Sequence, residues 1–471
     1  MERRWKVLVV TSAVVFMALL DVTIVNIAFT DLGRSFPRDS LADLSWVLNG
    51  YSVVFAAALV PAGRLADRYG RRRLFLGGLL LFLAASVASG LAASVPVLVA
   101  ARVVQALGAA TVLPTSLSLT LPEFPPERRG TAIALSTAAG AVAAGVGPSL
   151  GGLLVDWQGW RAVFFVNLVI GLPAFMAAAR LLRESHDERA QGVPDALGAL
   201  LLVGAVGGLA LGIVKGEDWG WSSGAVLAAF GTAAVLLPLF VLRSVGHATP
   251  VADLGLFRLR SFTVANLGTF VFGAGFFASL LCNVLFLTTV WQWPVLRAGA
   301  AVTPGPVMAA LMAPLAGRLT DRYGPRVAAV PGTLLFGAGP LLLALTATAR
   351  PHYWPVLFPA ATITGVGVGL SLPALGGAAV LELPPPSLAT GIGMTSALRQ
   401  LGAVVGVAAL VALLGTAGPQ ALGGFRHAWL MITGAGWLAA VVSLALGRVR
   451  APRPEPEKAA PQRTAPLNEA P

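Results

Sequence analysis

Charge is what this sequence has least of. Only 11% of its 471 residues are Asp, Glu, Lys or Arg, against 56% hydrophobic. A soluble domain carries about 25% charged residues. A chain so poor in charge has no polar coat to present to water, which excludes a soluble globular protein and makes the bilayer its solvent. Cysteine is scarcer still. Cys282 stands alone inside an apolar run, excluding an internal disulfide and a cysteine-based metal site. The four histidines, His186, His247, His352 and His427, fall in predicted connections and read as solvated loop residues. Nothing resembles a nucleophile, metal or nucleotide constellation. The Gly365, Gly367, Gly369 run lacks the Gly-Lys-Ser/Thr of a phosphate-binding loop, which argues against direct ATP use. No cofactor, no metal and no enzymatic activity are therefore expected.

Basic residues outnumber acidic ones, 33 to 21, for a net charge of +12. They lie in short bursts between apolar runs and not along one polar face, so the excess points to loops at a membrane surface and not to nucleic acid. Fourteen apolar runs are long enough to cross a bilayer, which takes about 20 residues each. Six lie between Val7 and Leu182, two are Ala196–Val214 and Ser223–Leu242, and six lie between Phe262 and Leu446. They are continuous and not alternating, hence helices and not barrel strands. The first run, behind Arg3, Arg4 and Lys6, is too long for a signal peptide and lacks a small-residue cleavage site, so it reads as a retained span. Twenty-four of the basic residues fall in one alternating set of connections and termini and seven in the other, which places both termini in the cytoplasm. The tail from Arg450 is rich in Pro, Ala and charge, and is expected to be disordered.

A repeat divides the chain. Gly63-Arg64-Leu65-Ala66-Asp67-Arg68-Tyr69-Gly70-Arg71-Arg72-Arg73 follows the second run, and Gly317-Arg318-Leu319-Thr320-Asp321-Arg322-Tyr323-Gly324-Pro325-Arg326 follows the tenth. The chain thus reads as a six-helix bundle (1–185), two inserted helices with linkers (186–250), a second six-helix bundle (251–449) and a tail (450–471).

That repeated segment resembles the loop signature of the major facilitator superfamily, Gly-x-Leu-Ala-Asp-Arg-x-Gly-Arg-Arg. The first copy matches throughout; the second departs at Thr320 and Pro325. The fifth run carries Gly147-Pro148-Ser149-Leu150-Gly151-Gly152, similar to the antiporter motif of drug exporters. Leu20-Asp21-Val22-Thr23-Ile24-Val25-Asn26, Arg102-Val103-Val104-Gln105-Ala106-Leu107-Gly108, Trp160-Arg161 through Asn167, and Arg399-Gln400-Leu401-Gly402 resemble segments of the fourteen-span drug:proton antiporters. The resemblance covers nearly all of the chain except the tail. It implies an all-α integral membrane protein of the major facilitator fold, two six-helix bundles plus two inserted helices. It also implies export by alternating access, driven by protons, of hydrophobic or cationic small molecules such as drugs. Metabolite uptake by the same fold is the alternative, and the fifth-run motif argues against it.

Within this frame the candidate residues take roles. A charge at the bilayer centre costs at least about 2.5–3.5 kcal/mol on insertion scales, so it needs a partner or a function. Asp21 and Arg102 are placed at matching depths, roughly 8–12 Å below the outer surface, as a proton-coupling pair. Arg399, Gln105 and Asn26 are candidates for the substrate cavity or for structure. Arg399 is open to water, to a carbonyl group or to an anionic substrate. Gly63, Asp67, Arg68, Gly70, Arg71, Arg72, Asp321 and Arg322 are gating-loop candidates. Asp67 is expected to pair with an arginine or to cap a helix when one side is closed. The expected partners are a small-molecule substrate, protons and the lipid bilayer, with the protein acting as a monomer in a bacterial plasma membrane.

Overall fold

The structure, a computed structural model, describes residues 2–39, 41–185, 195–247, 250–415 and 422–447. The expected tail at 450–471 lies outside the described residues. Six helices form the first bundle: α1 (Arg3–Ser35), α2 (Leu41–Tyr69), α3 (Arg71–Gly90), α4 (Val95–Thr120), α5 (Arg129–Gln158) and α6 (Ala162–Leu181). An inserted pair follows, α7 (Ala196–Trp219) and α8 (Gly224–Gly246). The second bundle holds α9 (Arg260–Thr289), α10 (Val295–Val302), α11 (Pro304–Tyr323), α12 (Arg326–Thr346), α13 (Phe358–Val380), α14 (Leu388–Gly415) and α15 (Leu422–Leu444). Fourteen crossings result, because α10 and α11 share one crossing that breaks at Thr303, just before Pro304. An even number of crossings puts both ends of the described chain on one face, called here the terminal face.

The packing follows from side-chain size. Apolar residues such as Leu153, Val169, Leu242 and Leu345 point outward, where lipid tails receive them. Small residues face neighbouring helices and let backbones approach closely. In this way α3 lies on α4, α1 on α5 and α6, α9 on α14 and α15, and α12 on α13. Two seams join the bundles, α2 against α14 and α5 against α11. The inserted α7 packs on α8 and on α2, and touches α14, so the pair covers the α2–α14 seam from outside.

The helices overrun the apolar runs, and three expectations change as a result. Lys215, expected in a connection, is fully buried inside α7, because the polar Lys215-Gly216-Glu217-Asp218 segment ends the apolar run without ending the helix. His427 lies in α15 and not in a loop, since that helix begins at Leu422. The two gating loops are not loops. Their residues finish α2 and α11 and begin α3 and α12, and the turn between them is Gly70 alone at φ 113° in the first copy and Gly324, at φ 91°, with Pro325 in the second. Only glycine adopts that backbone without strain.

Candidate functional site

The centre of the first bundle holds a dry polar network. Asp21 of α1 and Arg102 of α4 are 0% and 1% exposed. Arg102 Nη1 donates to Asp21 Oδ2 at 2.6 Å and to Gln105 Oε1 at 2.8 Å. Asp21 Oδ1 accepts from Gln105 Nε2 at 3.0 Å and from Asn167 Nδ2 at 2.8 Å. Ser86 Oγ accepts from the same two amides, at 3.3 and 2.9 Å, and donates to the Phe164 carbonyl. Arg102 Nε reaches the Val47 carbonyl at 3.3 Å, and its guanidinium stacks 4.1 Å from the Tyr51 ring centre. Among the described residues Asp21 thus accepts only from N–H donors, and one of them carries a full positive charge. That arrangement suits the ionised carboxylate and leaves a neutral, desolvated pair. Removing either partner strands a charge in a low-dielectric interior, a change worth about 3–5 kcal/mol.

Sequence reasoning placed Asp21 and Arg102 together, and the geometry does the same. Arg102 lies seven residues into α4, about 10 Å along its axis. Gln105 belongs to this network. Asn26 lies on α1, but its side chain is outside the described residues. The reading missed Ser86, Tyr51 and the bonding role of Asn167. Polar residues inside apolar runs were the available signal, and helical phase alone does not show which of them share a centre. It also missed Lys215, whose Nζ donates to Ser45 Oγ at 2.6 Å and sits 5.1 Å from the Trp46 ring centre.

A second constellation lies at the terminal face. Asp67, buried at the end of α2, accepts from the backbone N–H groups of Ala389 (3.1 Å) and Thr390 (2.7 Å) and from Thr390 Oγ1 (2.8 Å). It therefore caps the N-terminus of α14 in the other bundle, where free N–H groups and the helix dipole favour a carboxylate. Arg71 clasps the same carboxylate through Nε at 2.9 Å and Nη2 at 2.6 Å, and Nη2 also donates to the Pro385 carbonyl. The arrangement recurs with the bundles exchanged. Asp321, at the end of α11, accepts from the N–H groups of Gly130 (2.7 Å) and Thr131 (3.0 Å) and from Thr131 Oγ1, capping α5. Among the described residues it has no arginine clasp like that of Asp67. Gly63 and Gly317 sit where α2 meets α14 and α11 meets α5, and a Cβ at either would strike the opposing backbone. Each bundle thus caps a helix of the other on this face.

The remaining candidates divide. Arg72 does not cross to the other bundle: its Nη2 donates to the Ala179 carbonyl of α6, and its N–H to Glu184. Gly70 presses on Glu184. Arg68 and Arg322 lie over the rings of Tyr69 and Tyr323, at 5.3 and 5.1 Å. On α5, Gly147 meets Thr23 of α1 so closely that no side chain would fit, and Gly145 faces Pro306 of α11. Gly151 is buried and Gly152 half-buried, while the side chain of Pro148 is outside the described residues. Arg399 stands apart from both constellations, in the middle of α14.

Fourteen crossings among the described residues, in two bundles with reciprocal caps on one face and a buried ion pair nearer the other, define a polytopic membrane protein. The chain belongs to the major facilitator superfamily, whose family model matches residues 11–259 and 265–470. It is 36% identical to "Multidrug resistance protein Stp" of Mycobacterium tuberculosis over 86% of this chain and 75% of that one. It is 33% identical to the "Methylenomycin A resistance protein" of Streptomyces coelicolor over 84% of this chain and 83% of that one. With the "Tetracenomycin C resistance and export protein" of Streptomyces glaucescens it shares 32% over 88% and 76%. Among solved structures, the human organic anion transporter MFSD10 superposes with a TM-score of 0.66 at 16% identity, covering 94% of this chain and all of that one. The proton:xylose symporter XylE gives a TM-score of 0.63 at 15% identity, over 93% and 94%. These two likenesses concern the fold.

Proposed function

We propose that the chain is a proton-driven exporter of hydrophobic, drug-type small molecules in a bacterial plasma membrane, working as a monomer with its terminal face in the cytoplasm. The observation that carries the proposal is the fully buried Asp21–Arg102 pair, in a chain a third identical to proteins named for drug resistance and export. The Gly147–Gly152 segment on the neighbouring α5 supports export over uptake.

The mechanism follows from charge balance. Arginine stays charged throughout, so Asp21 is the member of the pair that changes state. A proton arriving from outside neutralises Asp21 and leaves Arg102 without its counter-charge in a dry interior. That state favours a rearrangement that gives Arg102 a new partner or water, and so couples the proton to a change in shape. The reciprocal caps hold the terminal face closed while the opposite face admits the proton, and their release opens the cytoplasmic side. Residues 1–185 and 251–449 are the moving bundles, and 186–250 the inserted segment between them. In everted vesicles given an imposed pH gradient, the wild type drives accumulation of hydrophobic dyes. Asp21→Asn, at equal abundance, does not. Gradient-driven accumulation by that variant at the wild-type rate contradicts the assignment.

A further inference from the structure

Within the membrane-spanning core, Asp21 and Arg102 cancel each other. Arg399 has no such balance. It lies eleven residues after Leu388, so about 16 Å into α14, near the middle of a hydrocarbon core of about 30 Å. It is partly exposed and makes no hydrogen bond or ion pair among the described residues. Its position on α14 is inward. Gly402 and Gly406 of α14 press on the backbone of α9, and the Arg399 Cγ and carbonyl lie against Gly273 of α9. Val405, 41% exposed, stands about 120° away around the helix. A guanidinium held at mid-bilayer without a counter-charge is costly, and such residues mark substrate paths.

The facing helix adds a second, independent observation. Asn266, Thr269 and Gly273 recur on one face of α9 at a three- and four-residue spacing, the side that Gly273 shows to be turned toward α14. Asn266 and Thr269 are 1% and 4% exposed; Asn266 Nδ2 donates to the Phe262 carbonyl of its own helix, whereas the Thr269 hydroxyl is buried without a hydrogen-bond partner and is free to donate. Buried polar atoms are normally paired, and a free hydroxyl donor beside an uncompensated cation calls for a ligand that accepts from both. Helical side chains lean toward the N-terminus, so Arg399 is directed along this same face toward Thr269. Glu382, a carboxylate packed on α9, is bonded to Ser261 at that helix's terminal end, roughly 12 Å along the axis from Thr269.

We propose that Arg399, with the Thr269 hydroxyl, forms a binding site for the carboxylate or other anionic group of an organic acid, so that the substrates include hydrophobic anions. The proposal rests on the reading of the chain as a transporter and names a substrate class for it. An anion leaving a negative-inside cell as a proton enters moves two positive charges inward, so the membrane potential drives the exchange.

The test is equilibrium binding to the purified full-length protein in detergent, where no gradient acts. The probes are 1-naphthoate, its methyl ester and 1-naphthylmethylammonium, matched in their apolar part. The wild type binds naphthoate at least about tenfold more tightly than the ester. In Arg399→Gln that ratio falls to near one with ester affinity unchanged, and Arg399→Lys restores part of it. Equal wild-type affinity for acid and ester overturns the proposal, as does absence of naphthoate binding. A uniform loss of all three probes in Arg399→Gln overturns it too, since that marks a packing role. If Arg399→Gln does not fold, the wild-type ratio and a selective loss of acid affinity in Thr269→Val decide the question. Binding at equilibrium in detergent needs no proton gradient, so failure of proton coupling and failure of the anion site are read separately.

Discussion

At the scale of single residues, the central feature is that Asp21 and Arg102 form one neutral unit. A unit of this kind loses stability when either half is removed and recovers it when both charges go, because the cost lies in the stranded charge. Asp21→Asn and Arg102→Gln are therefore each expected to lower thermal stability in detergent, by about 3–5 kcal/mol at most. The double variant recovers much of the loss yet stays inactive in transport. Recovery of transport together with stability would reduce the pair to a structural ion pair. The two charges were legible in the sequence because each interrupts an apolar run and their depths match. Ser86 was not, since a serine is cheap inside a helix and carries no charge to flag it. Lys215 escaped for the opposite reason. It borders other polar residues, so it read as the end of the span, whereas its ammonium reaches across to Ser45 and Trp46 of α2.

At the scale of helices, the repeated signature is a pair of helix ends that cap each other's partners. Both copies cap, but Asp67 also carries the buried Arg71 clasp. Asp67→Asn is accordingly expected to reduce turnover more than Asp321→Asn in vesicles of equal protein content. Equal losses would show that the arginine clasp adds nothing to the closed face. Gly147→Val tests the other close contact. Where α5 meets Thr23 of α1 there is no space for the added methyl groups, and overpacking of this kind costs about 1–3 kcal/mol. Lower thermal stability of the purified variant is the expected result, and an unchanged midpoint would place slack between α1 and α5. The order of helices was legible in the sequence because the apolar runs are long and separated by basic bursts. Their ends were not. An apolar run stops at the first polar cluster, but the backbone does not, and the Gly63–Tyr69 segment stays helical because its acid, Asp67, finds its partners in another helix.

At the scale of the whole molecule, two bundles meet along two seams, and the described hydrogen-bonded caps between them lie at the terminal face. The bias of basic residues predicts a cytoplasmic terminal face, and a reporter fused after Arg450 checks it: activity only as a cytoplasmic reporter is expected. The inserted pair was legible as an interruption of the repeat, whereas its place over the α2–α14 seam was not, because a lipid-facing helix and one leaning on a seam have similar composition. Proton exchange by the purified protein is the sharpest check on the proposal that Asp21 carries the proton. In weakly buffered detergent solution, addition of a transported dye changes the pH in the wild type and leaves it unchanged in Asp21→Asn that still binds the dye. An equal pH change from both proteins contradicts the account and moves the proton site away from Asp21.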